Sequence, residues 1–136
     1  IYNGYISQHT SRQLNYGGED VSKYLLNLLS RRGYHMYSKK AIDVVDQIKE
    51  QLCYTALNLE KERALALETT VLVEKFTVPD GTNLKVGQER FEATEALFDP
   101  NLIDLDCRGL SKSIFDTIQS SDMDCRADLL RNIVVW

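Results

Sequence analysis

Two segments of the chain carry apolar residues at the spacing of an α-helix. The first comprises Val21, Tyr24, Leu25, Leu28 and Leu29, and the second Ala41, Val44, Val45, Ile48 and Leu52. In each set the residues recur at i, i+3 or i+4 and so fall on one face of a helix. The pattern therefore predicts two amphipathic helices, each with one buried side.

Polar residues and glycines mark the ends of these two helices. Glu19 and Asp20 supply negative charge where the dipole of the first helix favours it. Gly33 follows two arginines and suits a left-handed C-terminal cap. Ser38 is the predicted N-cap of the second helix, which is expected to end near Cys53.

The middle of the chain has the pattern of a β-hairpin. Residues 69–78 are rich in β-branched and aromatic side chains, and residues 83–86 alternate between polar and apolar. Between these runs, Pro79 suits the first corner of a type I turn, Asp80 can bond to nearby backbone, and Gly81 can adopt positive φ. Two strands joined by a tight turn are therefore expected.

Shorter elements are predicted around the hairpin. Asn58 is the expected cap of a helix over residues 59–67, a short helix covers 89–97, and 102–110 form a loop. Helical spacing recurs at Leu110, Ile114 and Ile118, and Ser121 or Asp122 is expected to cap a helix ending near Leu130. Residues 1–6, with a turn at Asn3 and Gly4, and 132–136 are predicted as strands. The fold class is α/β, rich in helices.

Composition narrows the functional classes. The chain has 136 residues, a net charge of −4 and a pI of about 5.2, which predicts one domain and argues against a nucleic-acid partner. No apolar run is long enough to insert into a membrane. The three cysteines, Cys53, Cys107 and Cys125, lack metal-ligand spacing and are interpreted as reduced thiols.

Motifs for a self-contained catalytic site are not visible in the sequence. Phosphate-loop, dinucleotide-binding and zinc-protease motifs are all missing. Two pairs of aspartates, at 104/106 and 122/124, lie in loop or cap contexts, where solvation or capping is the simpler role. The chain begins at Ile1 without a methionine and ends at Trp136 within an apolar run, so we expect a segment of a larger protein.

Several stretches together resemble the actin superfamily. They are IKEQLCY at residues 48–54, Gly18-x-Asp20 followed by KYLLNLLSRRGY, VGQERFEATEALFDPNLI after the PDG turn, and SDMDCRADLLRNIVV near the end. Their order and spacing agree over essentially the whole chain. The resemblance implies a fragment of the ribonuclease H-like fold that actin shares with Hsp70 and the sugar kinases.

The resemblance also implies a division of the chain. Residues 1–17 and 110–136 would belong to the third actin subdomain, and 18–109, with the hairpin at 69–87, to the fourth. Two positions depart from the family pattern: Asn15 stands where the family usually has Asp, and Glu19 where it usually has Arg. Both departures bear on how the nucleotide cleft closes.

By resemblance, three residues would contact ATP. The stem of Lys49 would lie along the adenine, Glu50 would accept hydrogen bonds from the ribose, and Gly18 would let backbone approach the base. Successive residues turn by about 100° around a helix, so Lys49 and Glu50 point away from the stripe that contains Ile48. A solvated Lys–Glu pair is the alternative. The family's phosphate and magnesium sites lie outside this chain.

The resemblance extends to function and partners. ALETTVLVEKFTVPDG and LKVGQERFEATEALF look most like the actin-related proteins of the complex that nucleates actin branches. This implies an ATP-binding, cytoplasmic protein of the cytoskeleton that contacts actin and other subunits of that complex. The alternatives are a structural subunit of a chromatin-remodelling or dynein-activating complex, a divergent conventional actin, or an independent small enzyme.

The partner-contact residues implied by the resemblance lie in three places. Tyr2, Tyr5, Asp122, Met123, Asp124 and Cys125 would form the barbed-end face where the next actin docks. Pro79, Asp80 and Gly81, at the hairpin tip, and residues 98–110 would lie on surfaces between subunits. The alternative is strand packing for the two tyrosines and a helix cap for Asp122.

Overall fold

The structure, a computed structural model, describes residues 1–36 and 41–135. Within these ranges the helices are α1 Gly18–Arg31, α2 Ala41–Leu52, α3 Leu59–Glu68, α4 Glu89–Glu95, α5 Leu110–Gln119 and α6 Met123–Arg131. The strands are β1 Glu74–Thr77 and β2 Asn83–Val86, and short 3-10 turns cover Gln8–Thr10 and Pro100–Ile103. The predicted class, helix-rich α/β with a central hairpin, is confirmed.

The main core lies where α1, α2, the hairpin and α4 meet. Leu25 and Leu29 of α1 and Val45 and Ile48 of α2 are fully buried there. Val86 of β2 closes the core from the hairpin side. Both predicted helical stripes therefore face the core, as the spacing of their apolar residues requires.

The two ends of α1 form as predicted. The backbone N–H of Gly17 donates to Asp20 Oδ2 at 2.9 Å, which fixes the start of the helix. At the other end Gly33 has φ +102, and the N–H groups of Gly33 and Tyr34 donate to Ser30 and Leu29 carbonyls at 3.0 Å. These two backbone hydrogen bonds close the last turn of α1, with Gly33 in the left-handed conformation. Ser38, the predicted cap of α2, lies outside the described residues.

The hairpin turn is also confirmed. The Gly81 N–H donates to the Val78 carbonyl at 2.8 Å, and Gly81 has φ +89. Asp80 Oδ1 accepts the Thr82 N–H at 2.8 Å. The prediction of a strand from residue 69 was wrong, because β1 begins only at Glu74. Residues 69–73 instead make local backbone hydrogen bonds, one that completes α3 and one that closes the turn after it. These bonds outweigh the β propensity of the side chains.

The predicted strands at both ends of the chain do not form. Tyr2 and Tyr5 pair across a two-residue turn, in which Asn3 has φ 48 and Gly4 has φ 81. The turn was predicted, but the pairing is a single bridge rather than a strand. Residues 132–135 form no strand either, and Trp136 lies outside the described residues. Within the described ranges neither end has a neighbouring strand, and a strand needs such a partner.

The remaining helices agree with their patterns, with changes at the ends. Asn58 Oδ1 accepts the Lys61 N–H at 3.0 Å and caps α3 as expected. Helix α4 ends at Glu95, two residues before its predicted limit, and the 3-10 turn Pro100–Ile103 overlaps the start of the loop predicted at residues 102–110. Asp122 occupies the N-cap position of α6, but its side chain makes no capping hydrogen bond. The Asp122 backbone carbonyl instead accepts the Cys125 N–H at 3.2 Å.

All three cysteines are free thiols, as predicted. Cys53 is half-buried, Cys107 exposed and Cys125 buried. Burial raises the pKa of Cys53 to about 11. The Cys53 thiol is therefore a packing group rather than a reactive one at neutral pH.

Candidate functional site

A polar cluster joins the first turn of α1 to the last turns of α2. The Lys49 ammonium donates to Asp46 Oδ1 at 2.8 Å, to Ser22 Oγ at 2.7 Å and to the Gly18 carbonyl at 3.1 Å. An ammonium has three N–H groups, so these partners use all of them. The cluster of Gly18, Ser22, Asp46 and Lys49 is called the α1–α2 clamp below.

Helical spacing brings the members of the clamp together. Asp46 lies three residues before Lys49 and Ser22 four residues after Gly18, so each pair shares a helix face. Ser22 is only 3% exposed, and its Oγ lies 2.5 Å from Asp46 Oδ1 and 2.9 Å from the Gly18 carbonyl. Hydrogen bonds from Lys49 and then Ser22 lower the pKa of Asp46. The carboxylate is therefore the stable form of this side chain.

Of the three residues predicted to contact the nucleotide, Gly18 and Lys49 belong to the clamp and Glu50 does not. Gly18 and Lys49 are brought together, since a Cβ built on Gly18 would lie 3.8 Å from Lys49 Nζ. The Lys49 side chain is only 24% exposed and its ion pair is with Asp46, not with Glu50. Glu50 itself is exposed on α2. The alternative, a solvated pair of Lys49 with Glu50, does not form, because Asp46 and Ser22 draw the ammonium towards α1.

A second group of predicted residues gathers between the N-terminal turn and α6. Tyr2, Tyr5, Asp122 and Cys125 line a groove of about 380 Å³. Met123 is 79% exposed and Asp124 is exposed beside it, whereas Cys125 is buried and its Sγ contacts the Asp122 carbonyl at 3.1 Å. The residues predicted for the barbed-end face thus lie near one another, with Cys125 forming the floor.

The other two predicted contact regions are surface features. Pro79, Asp80 and Gly81 are all exposed at the tip of the hairpin. In the loop at residues 98–110, Cys107 is exposed, while Gly109 is buried against the backbone of Phe98. The loop is therefore exposed at Cys107 but packed against the rest of the fold at Gly109.

The comparisons with known proteins give the family. A model of the Actin family matches residues 1–136. The chain belongs to the actin family. It is 46% identical over 135 residues to actin-related protein 2 of Caenorhabditis briggsae, which is 99% of this chain and 34% of that protein.

Two other relatives give the same result. The actin-family chain is 45% identical over 135 residues to actin-related protein 2 of Saccharomyces cerevisiae and to that of Acanthamoeba castellanii. Each alignment covers 99% of this chain, and 34% and 35% of the respective relative. The chain therefore spans about a third of the length of the relatives it matches.

The chemistry of three residues of this actin-family chain is compatible with part of a nucleotide. Gly18 is exposed and lacks a side chain, and Lys49 and Glu50 offer an apolar stem and an exposed carboxylate. Such groups suit a base and a ribose. Within the described residues, no group of three or more His, Cys, Asp or Glu side chains could hold a metal ion. No helix there is long and apolar enough to cross a membrane.

Sequence reasoning missed two residues of the clamp, Asp46 and Ser22, and one residue outside it, Arg90, that holds the end of α2. Asp46 could have been found, since its spacing from Lys49 is that of a helical ion pair. Ser22 carries no signal, because only the packing of α1 on α2 places it beside Asp46. Arg90 donates from Nε to the Leu52 carbonyl and from one terminal nitrogen to the Leu72 carbonyl, both at 2.8 Å. Because both acceptors are backbone groups distant in sequence, no residue pattern reveals them.

Proposed function

We propose that this chain is a segment of an ATP-binding actin-related protein that works in an actin-nucleating, branch-forming complex of the cytoplasmic cytoskeleton. The observation that supports the proposal is the 45–46% sequence identity, over 99% of this chain, to several proteins named actin-related protein 2. In this proposal the chain supplies one wall of the base site and part of the surface that meets actin. The nucleotide phosphates and magnesium are bound by other parts of the full-length protein.

The clamp supports the nucleotide part of the proposal. Lys49 is held beside the exposed Gly18 by three hydrogen bonds, so its stem keeps one position. A fixed side chain loses less rotamer freedom when a ligand binds. The exposed carboxylate of Glu50, the next residue on α2, is available to accept ribose hydroxyls.

Replacing Glu50 tests the nucleotide site. In the full-length protein, Glu50→Ala should weaken ATP binding by roughly 1–3 kcal/mol, because the ribose loses its acceptor. The melting temperature without nucleotide should stay unchanged, since Glu50 is exposed. Isothermal titration calorimetry gives the affinity. Asp43→Ala, an exposed carboxylate on the same helix, is the matched control and should bind ATP normally. Unchanged affinity in Glu50→Ala would contradict the site.

The groove beside α6 supports the actin-contact part of the proposal. Met123 is 79% exposed between two aspartates, and it directly follows Asp122, which lines the groove together with the exposed Tyr2 and Tyr5. Apolar and aromatic groups that stand exposed together are typical of docking surfaces. We assign this face to the next actin subunit.

Replacing Met123 tests this surface. Met123→Asp should slow filament elongation from the assembled complex, because a third carboxylate would be buried against actin. Assembly of the complex should be unaffected. Pyrene-actin polymerisation measures elongation, and size-exclusion chromatography measures assembly. Leu67→Asp, at an apolar residue of α3 that is 81% exposed, is the control. Normal elongation by Met123→Asp would refute the assignment.

Co-purification tests membership of the complex. The full-length protein should be recovered with actin-related protein 3 from cell extracts. Recovery with chromatin-remodelling or dynein-activating subunits instead would favour the alternative functions. Crosslinking mass spectrometry of the purified complex would show which subunits lie against Pro79 to Gly81.

A further inference from the structure

We propose that Asp46 is an internal counter-ion that restrains the charge of Lys49, so that the nucleotide affinity of this site is set below what Lys49 alone would give. The inference rests on the proposed nucleotide site and adds to it a residue that does not touch the ligand. Asp46 acts only through Lys49, so it is a positioning residue.

The first step is the saturation of the Lys49 ammonium. Its three N–H groups are taken by Asp46 Oδ1, Ser22 Oγ and the Gly18 carbonyl, at 2.8, 2.7 and 3.1 Å. No N–H remains to donate to a base without breaking one of these bonds. Lys49 can therefore act on a bound base only through its stem and through the electric field of its charge.

The second step is the fixation of the Asp46 carboxylate. Ser22 Oγ accepts from Lys49 and has one proton of its own, which it can give to Asp46 Oδ1 or to the Gly18 carbonyl. The 2.5 Å separation from Asp46 Oδ1, against 2.9 Å from the carbonyl, favours the carboxylate. Because Ser22 is buried and cannot turn to solvent, it holds Asp46 in contact with Lys49.

The third step is electrostatic. A carboxylate 2.8 Å from the ammonium cancels much of the field that Lys49 would exert on a π system or a polyphosphate. Asparagine has nearly the shape of aspartate and keeps an oxygen that accepts from Lys49 and Ser22. Asp46→Asn should therefore preserve the geometry of the clamp and leave a net positive charge beside the ligand.

The test is a double-mutant cycle in the full-length protein, with ATP binding measured by calorimetry at low salt. Asp46→Asn should tighten ATP binding roughly two- to fivefold, the size of one exposed cation–π contact. In the Lys49→Met background the same change should give no gain. Asp43→Asn, which removes an equal charge from the exposed side of α2, is the control and should bind like the wild type. Asp46→Ser, which also removes the charge, gives a second measurement if Asp46→Asn folds poorly.

The outcomes separate this inference from the proposed function. A gain in Asp46→Asn that disappears with Lys49→Met supports it. An equal gain in both backgrounds overturns it, because Asp46 would then act on the nucleotide directly. No gain, or a loss, also overturns it, while weaker binding by Glu50→Ala would still support the nucleotide site. If neither Lys49→Met nor Glu50→Ala changes the affinity, the nucleotide site is wrong and the inference fails with it.

Discussion

At the scale of single residues, Gly109 is the glycine with the least room for a side chain. Its backbone φ is −63, which any residue can adopt, so the constraint is steric. A Cβ placed there would lie 1.8 Å from the Phe98 carbonyl oxygen, and that oxygen belongs to backbone that cannot rotate away. The neighbouring N–H of Leu110 donates to the Leu97 carbonyl at 2.9 Å, which holds the two segments in contact.

Replacing Gly109 by alanine should therefore be strongly destabilising. The two segments must separate to admit the methyl group, and we expect a loss of at least about 3 kcal/mol in the free energy of unfolding. Urea denaturation followed by circular dichroism measures it. Gly17→Ala is the control: nothing lies within 4 Å of its Cβ position, so only the poorer N-cap of α1 should count, at no more than about 1 kcal/mol. Equal stability of the two variants would contradict this packing.

At the scale of elements, Arg90 of α4 joins that helix to the end of α2 and to the segment before β1. Its side chain donates to the carbonyl of Leu52, the last residue of α2, and to the carbonyl of Leu72, which precedes β1. Its guanidinium also lies over the Tyr54 ring, 5.1 Å from the ring centre. Tyr54 in turn donates to Glu62 of α3 at 3.0 Å. Arg90, directly and through Tyr54, therefore connects α4 with the end of α2, the segment before β1, and α3.

Loss of Arg90 should cost more than loss of an ordinary surface arginine. Arg90→Ala leaves two carbonyls without partners, and we expect about 2–3 kcal/mol of destabilisation. Arg90→Lys should recover only part of it, because an ammonium cannot reproduce the fork geometry. Arg63→Ala, which removes a partly exposed pair with Glu92 at 3.5 Å, should change the unfolding free energy by less than about 1 kcal/mol. Thermal unfolding measures the stability of the three variants. A similar loss of stability in Arg63→Ala and Arg90→Ala would contradict this role of Arg90.

At the scale of the whole molecule, much apolar surface stands outside the core. Phe115 is 53% exposed, Leu130 51%, Ile133 50% and Val134 74%. These residues lie on α5, α6 and the segment after them, away from the core formed by α1, α2, the hairpin and α4. Exposed apolar surface of this kind is covered in a stable protein by another element or another chain.

The 136-residue chain expressed by itself should consequently be marginally stable. We expect a broad thermal transition and self-association, because the apolar groups of α5 and α6 would remain in contact with water. Differential scanning calorimetry and light scattering measure both properties, with the full-length protein as the reference. A sharp, cooperative transition of a monomer would count against the prediction.

What the sequence determined by itself is local. Helices α1 and α2 follow from apolar spacing, the ends of α1 from Asp20 and Gly33, and the hairpin turn from Pro79, Asp80 and Gly81. In each case the interacting groups lie within a few residues of one another, so the local sequence is enough to predict the structure. Family resemblance then pointed to Gly18, Lys49 and Glu50, which helical spacing alone treats as ordinary surface.

Only the tertiary structure decided which groups those residues contact. The pair of Lys49 with Asp46 is local to α2, but Lys49 reaches Ser22 only because α1 packs on α2, and 27 residues separate Ser22 from Lys49. The predicted end strands failed for a related reason: a strand is stabilised by hydrogen bonds to a neighbour, which residue type cannot supply. Burial and strand pairing depend on contacts distant in sequence, and so do the hydrogen bonds with Ser22 and Gly18 that complete the clamp, which form only when the two helices are packed together.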